Sequence, residues 1–433
     1  MNNNRKVFLS FLGTNDYVEC NYYFGNQKVE NVKFVQEAML KIFCKEFKKD
    51  NNDKIYILLT KEAEDRNWPK LEEKISELKK NDIVEPVKDI PVGSNENEIW
   101  QIFSKVFNLF KDGDEVFFDI THGFRLLPLL GITLLNYARF LKNIKIKGIY
   151  YGAFETLGPI SLVRQRDIKD RNAPIFDLTP YYDIMEWGIG AREFVSSGST
   201  RKIKEIVNQH IIPLQKTFCG KIDDNYKKIK HLIDWIDIGT NEILYCRGLQ
   251  IIKGENFNKA KKLLNEIKRA DLNLSYALIP LLEKIEEKIT EFNSDDILNG
   301  FRAVKWCIEH NLIQQGITIL QEMLITYLIE KTKYKDKINN KKIREELSAA
   351  IYFVMNPNIN EKEYKGDNDI LEILKKMKEN NDIKELFNIF NRLRNIRNDI
   401  NHCGFIQPIK IEKLKKELEN SFNEVYKVVL NDK

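Results

Sequence analysis

The sequence predicts a two-part protein, in which an α/β domain built on a parallel sheet is followed by an all-helical part. Short apolar runs alternate with helical patterns through the first 175 or so residues. From there to the end of the chain, helical periodicity dominates. No stretch approaches the roughly 20 apolar residues needed to cross a bilayer. These observations together favour a soluble α/β domain joined to a helical one.

Five apolar runs in the first part predict short buried strands. They are residues 6–12, 54–59, 83–87, 115–120 and 146–151. The helical patterns between them are residues 31–49, 69–80, 96–111 and 126–142. Because strand and helix alternate in this way, we expect a Rossmann-like parallel sheet with helices on both faces.

The helical part is expected to begin after a loop-like stretch at residues 164–173. Asp-Leu-Thr-Pro at 177–180 is a plausible helix start. Polar residues near Gly198, near Asn293 and at 356–369 divide the pattern that follows into sub-bundles, with 356–369 predicted as a solvated loop. The sequence therefore predicts several packed helices rather than one long one.

Composition limits the function without identifying it. The chain has 43% hydrophobic and 31% charged residues and a net charge of +5. This balance is compatible with local RNA-binding patches but does not by itself indicate RNA binding. The six cysteines form no C-x-x-C pair and there are only five histidines, so we expect reduced thiols and no metal site. The apolar run at the N-terminus is too short for a signal peptide, which predicts a cytoplasmic protein.

Two loops of the α/β domain carry polar side chains at the ends of predicted strands. Ligands of open α/β sheets bind beyond the carboxyl ends of the strands, where small residues allow close approach and an arginine can meet phosphate. The loops do not contain G-x-G-x-x-G, so a redox dinucleotide is disfavoured. The candidate ligand-binding residues are Gly13, Thr14, Asn15, Asp16, Thr121, His122, Gly123 and Arg125.

Structural roles for the same residues stay open at this point. Residues 13–16 could form only a turn in which Asn15 or Asp16 caps a helix. Asp119 could hold the second loop by accepting backbone N–H bonds. His122 could be a packed, hydrogen-bonded histidine rather than a ligand contact.

Near the C-terminus, Arg397 and His402 lie late in a strongly amphipathic helical segment. Arginine offers a planar fork of donors to phosphate, and histidine transfers protons near neutral pH. Five helical steps rotate a side chain by roughly 140° and raise it by about 7.5 Å, so the two do not stack on one face. Asn398 and His402 do share a face, and Gly404 predicts the helix end.

One copy of this pair is a loose arrangement, whereas two copies about a two-fold axis could gather two arginines and two histidines around one phosphate. Arg392 and Arg394, one turn earlier, are candidates to bind flanking RNA phosphates, although a plain solvated face is the alternative. His402 could likewise be favoured only by the negative end of the helix dipole.

The two halves resemble a known combination. The loops at 13–15 and 119–125 look like those of a CARF domain, the Rossmann-like sensor of type III CRISPR defence. Residues 310–316 and 320–322 resemble the opening of a HEPN domain, and 397–402 resembles the HEPN nuclease pattern. The resemblance implies three regions: a CARF-like domain at 1–175, a helical linker or insertion at 176–295, and a HEPN domain at 296–433.

The resemblance also implies a function. Such proteins are homodimers that bind one cyclic oligoadenylate across the two-fold axis and then cut single-stranded RNA without a metal or other cofactor, leaving 2′,3′-cyclic phosphates. Arg397 and His402 become the catalytic pair, with Asn398 beside them, and cyclic tetra-adenylate is the expected allosteric activator. Assembly beyond a dimer is left open.

Other functions remain compatible with the sequence. A ligand-responsive regulator with a catalytically inactive helical domain would keep the sensor and lose the need for Arg397 and His402. An enzyme that mainly degrades the cyclic ligand would use Thr14 or His122. A transcription factor would need a recognition helix with base-reading residues, and we find no convincing one.

Overall fold

The computed structural model describes residues 4–80, 82–122, 126–208, 224–269, 275–356, 364–405 and 408–431. The chain divides into two compact units, Met1–Asp183 and Ile184–Lys433. The first is α/β and the second is helical, as the sequence predicts. The finer boundaries expected at 175/176 and 295/296 stay predictions.

An eight-stranded sheet forms the centre of the first unit. Its strands are β1 (Lys6–Phe11), β2 (Cys20–Phe24), β3 (Gln27–Val32), β4 (Lys54–Leu58), β5 (Val84–Val87), β6 (Glu115–Asp119), β7 (Lys145–Gly152) and β8 (Asn172–Asp177). Their order across the sheet is β3-β2-β8-β7-β6-β1-β4-β5.

All five predicted strands are present, and they form the parallel half of the sheet, β7-β6-β1-β4-β5. The predicted α/β class is confirmed, and three further strands make the sheet mixed, since β8 runs antiparallel to β7 and β3 antiparallel to β2. The predicted helix at 31–49 is shorter than expected, since β3 occupies its start. β3 and β8 are largely polar or exposed, and Asn21 interrupts the short β2, so none of the three carries the apolar run that marks the predicted strands.

Helices cover both faces of this sheet. They are α1 (Val35–Phe43), α2 (Lys61–Arg66), α3 (Trp68–Lys74), α4 (Ser76–Lys80), α5 (Glu96–Leu109), α6 (Leu126–Lys142) and α7 (Ile160–Val163), with short 3-10 helices at Lys49–Asn51, Phe154–Leu157 and Ile168–Asp170. Phe8 belongs to the core beneath α1 and α3, whereas Leu9 faces α5 and α6. Side chains of β1 therefore alternate between two buried faces.

The close packing of α6 on the sheet depends on Gly131. A Cβ atom at this position would overlap the Phe118 ring of β6, at 2.4 Å from its nearest atom. The helix after β6 thus lies directly against the strand.

The second unit consists of helices. They are most of α8 (Thr179–Ser197), α9 (described over 201–208), α10 (Asp224–Leu244), α11 (Gly248–Lys253), α12 (Glu255–Arg269), α13 (Ser275–Ile289), α14 (Leu298–Glu309), α15 (Ile313–Glu330), α16 (Lys341–Met355), α17 (Asn368–Met377), α18 (Asn381–Asn401) and α19 (Ile411–Asn431), with a 3-10 helix at Lys335–Lys337.

The predicted breaks coincide with the helix ends. The start at 177–180 is confirmed, since α8 begins at Thr179 and Asp177 Oδ1 accepts its N–H at 2.9 Å. Breaks near Gly198 and Asn293 separate α8 from α9 and α13 from α14, while 357–363 of the predicted loop lie outside the described residues. One hydrophobic cluster runs from Trp187 to Val429, so apolar burial is continuous through this unit.

Candidate functional site

The two predicted ligand loops leave the same edge of the sheet from neighbouring strands. β1 and β6 pair in parallel, with Ser10 opposite Asp119, so the loops beginning at Leu12 and Ile120 emerge side by side. From β1 the sheet extends to β4 on one side and to β6 on the other. This is the point where strand order reverses, which is where open α/β sheets bind ligands.

Asp119 holds the second loop in place. Its buried carboxylate accepts a hydrogen bond from the Ser10 hydroxyl at 2.7 Å and one from the Thr121 backbone N–H at 2.9 Å. Gln36 Nε2 donates to Ser10 Oγ at 3.3 Å from α1. Burial raises the pKa of Asp119, against the lowering effect of these bonds. The structural reading of Asp119 as a loop anchor is therefore confirmed.

Thr121 is fixed by its own side chain. Its Oγ1 accepts the backbone N–H of Gly152 at 2.8 Å, which ties the loop to the end of β7. The Thr121 hydroxyl in turn donates to the Asp119 carboxylate, so its proton is already engaged. Thr121 is half-buried, so a ligand at this edge can reach it.

Gly13, Tyr17 and His122 form a tight cluster between the loops. The Gly13 N–H donates to Tyr17 Oη at 2.9 Å, and the Tyr17 and His122 rings meet edge to face with centroids 4.9 Å apart. A Cβ atom on Gly13 would lie 3.2 Å from His122 Nδ1, so a larger residue would push the imidazole aside. Burial lowers the pKa of His122 to about 4, which keeps it uncharged at neutral pH.

The remainder of the first loop is held by α2 and the residue that follows it. Asn67 Nδ2 donates to the carbonyl oxygens of Gly13 at 2.9 Å and of Asn15 at 3.1 Å. Asp16 pairs with Arg66 at 3.2 Å and lies 4.0 Å from Arg164. The loop leads into β2, so the open alternative that Asn15 or Asp16 caps a following helix is wrong.

Thr14 is half-buried and Asn15 is exposed, so both offer side-chain polar groups to a ligand. Gly123 and Arg125, the other two candidates in the second loop, lie outside the described residues.

In the helical unit, α18 ends where the sequence predicts. His402 is its C-cap residue, and its backbone N–H bonds to the carbonyl of Asn398 at 2.9 Å. Cys403 and Gly404 follow with φ of 56° and 61°, a left-handed turn that stops the helix. The His402 side chain is exposed, and within the described residues no side-chain hydrogen bond joins it to Asn398.

Arg397 lies on the helix face that meets α15 and α16. Its Nη1 is 3.7 Å from Glu322 Oε1, while the other oxygen of that carboxylate accepts a bond from Arg344 Nη2 at 2.7 Å. Arg344 also donates to Thr326 Oγ1 at 3.0 Å and to the carbonyl of Ile338 at 2.8 Å. Glu322 is thus firmly held by Arg344 and loosely paired with Arg397, which stays partly exposed.

Arg392 and Arg394 point in different directions, since two helical steps rotate a side chain by roughly 200°. Arg392 pairs with Glu424 at 3.1 Å and Glu417 at 3.4 Å on α19. The Arg394 guanidinium instead lies over the Tyr352 ring, 4.8 Å from its centroid, on the same side as Arg397. The structure therefore brings Arg394 and Arg397 together and does not bring Arg392 to them.

Residues 7–155 match the family described as "CRISPR system endoribonuclease Csx1, CARF domain". This match supports a CARF domain in the first unit, as the resemblance implies. Over 278 residues, or 64% of the chain, the sequence is also 30% identical to the CRISPR-associated protein MJ1674 of Methanocaldococcus jannaschii. That match covers 38% of the relative's length, and it is too long to be confined to the CARF domain.

Both ligand loops fall inside the matched part of the CARF domain, whereas Arg397 and His402 fall outside it. The roles of all these residues stay predictions. Among the described residues, no group of three or more His, Cys, Asp or Glu side chains is placed to hold a metal ion. Nor is any helix in the described part of the chain long and apolar enough to cross a membrane.

Sequence reasoning missed the residues that hold these sites in place. In the CARF domain they are Ser10, Tyr17, Gln36 and Asn67, and in the helical unit they are Glu322 and Arg344. Each acts through a partner distant in sequence or through a backbone atom, so no local pattern marks it. The only available signal was a polar residue at an otherwise apolar position, such as Ser10 within β1.

Proposed function

We propose that this chain is a homodimeric endoribonuclease, activated when cyclic oligoadenylate binds at its CARF domains. The observation that carries the proposal is the pairing, on one chain, of a CARF-like domain with Arg397 and His402 at the exposed end of α18. CARF domains bind cyclic oligoadenylates in general, which supports the ligand class. The helical effector supplies residue types suited to RNA cleavage.

The chemistry we propose uses the RNA's own 2′-hydroxyl as nucleophile. The hydroxyl loses its proton and attacks the adjacent phosphorus, and the bond from phosphorus to the 5′-oxygen breaks. His402 would act as general base or acid, and Arg397 would stabilise the charge that builds on the phosphate oxygens. Products would be a 2′,3′-cyclic phosphate and a 5′-hydroxyl. DNA lacks the 2′-hydroxyl and should resist.

This route assigns no step to a metal, because a cation is already supplied by arginine and proton transfer by histidine. Asn398, exposed one turn before His402, would contact the RNA or the partner's histidine rather than fix its own.

A dimer is proposed because one copy of the pair is incomplete. Arg397 and His402 are five residues apart, and the His402 side chain is exposed. A second protomer about a two-fold axis would bring another exposed histidine and a second arginine to the same phosphate. The active site would then exist only in the assembled protein.

For the activator, we propose cyclic tetra-adenylate bound across two CARF domains. The side chains of Thr14 and Asn15 would supply hydrogen bonds, Thr121 Oγ1 would accept one through its remaining lone pair, and Arg125 would meet a phosphate. The uncharged imidazole of His122 would offer one donor and one acceptor to an adenine. Asp16 is a weaker candidate, since Arg66 already neutralises it.

Binding of the cyclic ligand and binding of RNA would be coupled through the dimer. A cyclic ligand that binds one CARF arrangement more tightly shifts the population toward it, and the helical pair follows. By reciprocity, RNA should tighten ligand binding by the same factor.

One experiment separates this function from its rivals. Wild-type protein is incubated with single-stranded RNA and cyclic tetra-adenylate, and both nucleic acids are then analysed by mass spectrometry. We expect RNA fragments carrying 2′,3′-cyclic phosphates. Intact RNA with linearised ligand would favour a ligand-degrading enzyme, and two intact molecules would favour a regulator with an inactive helical domain.

A further inference from the structure

A groove of about 580 Å³ lies beside Arg397, between α15, α16 and α18. Four cationic side chains line it, and only two carboxylates oppose them, those of Glu322 and Glu345. The cations are Lys341, Arg344, Arg394 and Arg397. Glu345 lies 3.7 Å from Lys341, and Glu322 is shared between Arg344 and Arg397. The groove therefore keeps a positive balance, as a path for a polyanion requires.

Arg394 is the cation of this groove that no carboxylate neutralises. Within the described residues, no Asp or Glu oxygen lies within 4.0 Å of its guanidinium. Its partner is the ring of Tyr352, on α16 one turn beyond Ser348 of the groove wall. A guanidinium stacked on a ring keeps its edge donors free, and those donors match a phosphate.

Tyr352 itself is 41% exposed. An aromatic ring left accessible at the end of a cationic groove is suited to stack on an unpaired base. Stacking of this kind tolerates any base, because every base has a π face. It also requires a single strand, since the bases of a duplex are already stacked on each other.

We infer that Arg394 and Tyr352 form a nucleotide subsite for single-stranded RNA, next to the phosphate that is cut. Arg394 binds a flanking backbone phosphate, and Tyr352 stacks on the base of the same nucleotide. The inference rests on the proposed function and adds to it the path of the substrate. It assigns substrate positioning, rather than a chemical step, to these two residues.

The test measures binding of full-length protein, with cyclic tetra-adenylate present, to a labelled RNA that carries one 2′-deoxy nucleotide at the cut site. Fluorescence anisotropy gives Kd without cleavage. Tyr352→Leu should weaken binding about tenfold, within the range for one stacked base, and Tyr352→Phe should bind like wild type. Arg394→Gln should lower the slope of log K against log salt by about 0.7, the value for one phosphate contact on a single strand.

Two matched controls lie outside the groove. Tyr245→Leu removes another exposed tyrosine of the helical unit, and Arg192→Gln removes an exposed arginine. Both should leave Kd and the salt slope unchanged. Equal RNA affinity for Tyr352→Leu and Tyr352→Phe would overturn the stacking subsite.

A second measurement guards against a merely structural role for Tyr352. RNAs with one abasic nucleotide are scanned through the positions flanking the cut. At one position, loss of the base should weaken wild-type binding about tenfold while leaving Tyr352→Leu unaffected, so that the two proteins bind equally. If no position has this effect, the subsite is wrong even where wild type cuts RNA. If wild type binds no RNA at all, the proposed function fails with it.

Discussion

The two candidate sites differ in how completely one chain builds them. At the CARF edge, the carboxylate of Asp119, the amide of Asn67 and the hydroxyl of Thr121 fix the loops through backbone atoms, and the cluster around Gly13 is closely packed. At the end of α18, His402 is exposed and Arg397 has only a loose carboxylate partner at 3.7 Å. Over the described residues, one chain by itself holds the loops at the sheet edge, whereas the proposed nuclease pair would need a partner.

This contrast teaches where regulation can act. A site already fixed in one chain can bind its ligand whenever the ligand is present, because little ordering remains to be done. A site that needs two chains can be switched by small changes in how those chains meet. In the proposed function, a rigid sensor site and an incomplete effector site would make activity depend on assembly rather than on folding.

The largest expected effect comes from the incomplete site. His402→Ala should lower single-turnover RNA cleavage by about 10²- to 10⁴-fold, because the proton-transfer group is lost. Ligand affinity, measured by calorimetry, should be unchanged. Cleavage at the wild-type rate would remove His402 from the mechanism and leave the exposed helix end without a catalytic role.

A substitution at the proposed ligand site should instead change ligand affinity and leave the cleavage step unchanged. Arg125→Ala should raise the ligand concentration for half-maximal activation by about 10- to 100-fold, the cost of losing charged hydrogen bonds to phosphate. The maximal cleavage rate at saturating ligand should hold. Asp16→Asn is the internal comparison, since Asp16 already pairs with Arg66, and it should shift activation far less. Unchanged half-maximal activation in Arg125→Ala would exclude this arginine from the ligand site.

A smaller effect should follow from removing the ion pair between Arg397 and Glu322. Glu322→Gln removes the charge facing it, so the arginine is less well oriented and kcat should fall about fivefold, as for a partly exposed ion pair. The same change removes a negative charge from the groove, and KM for RNA should fall as well.

The matched control is Glu345→Gln, which neutralises the other carboxylate of the groove without touching Arg397. It should lower KM to a similar extent and leave kcat unchanged. If both substitutions have the same effect on kcat, Glu322 contributes only charge and does not position Arg397.

The smallest effect concerns the packed histidine of the sensing edge. Burial lowers the pKa of His122 to about 4, below its unfolded value near 6.5. Its contribution to stability is therefore fully present above about pH 6.5 and is lost as pH falls toward 4. When the pH is lowered from 7.5 to 5, the Tm of wild type should fall further than the Tm of His122→Gln. Equal losses for the two proteins would show that His122 is not held uncharged.

The parallel strands and the end of α18 could be predicted because each depends on a local pattern. Apolar runs mark the strands, and Gly404 after an amphipathic segment marks the helix end. The strands β2, β3 and β8 could not, because polar residues or Pro174 interrupt their short sequences, which then resemble loops. The residue types at both sites could also be recognised in the sequence, whereas the residues that hold them in place could not.

The residues that hold the sites in place could not be predicted, because they act through tertiary contacts. Glu322 meets Arg397 across 75 positions of sequence, and Ser10 meets Asp119 across 109. The opposite directions of Arg392 and Arg394 follow from the helix geometry, but which of them faces a groove depends on where α16 and α19 pack. Sequence patterns show which helix or strand carries the reactive side chains. Tertiary packing decides which of those side chains face a site.

One cleavage assay tests the proposed function most directly. Labelled single-stranded RNA is incubated with wild type or His402→Ala, in the presence of cyclic tri-, tetra- or hexa-adenylate or no ligand, each with and without EDTA. We predict cleavage by wild type with cyclic tetra-adenylate, equal in both EDTA conditions, and little cleavage in every other lane. Cleavage that is independent of ligand, that EDTA abolishes, or that persists in His402→Ala would contradict the account.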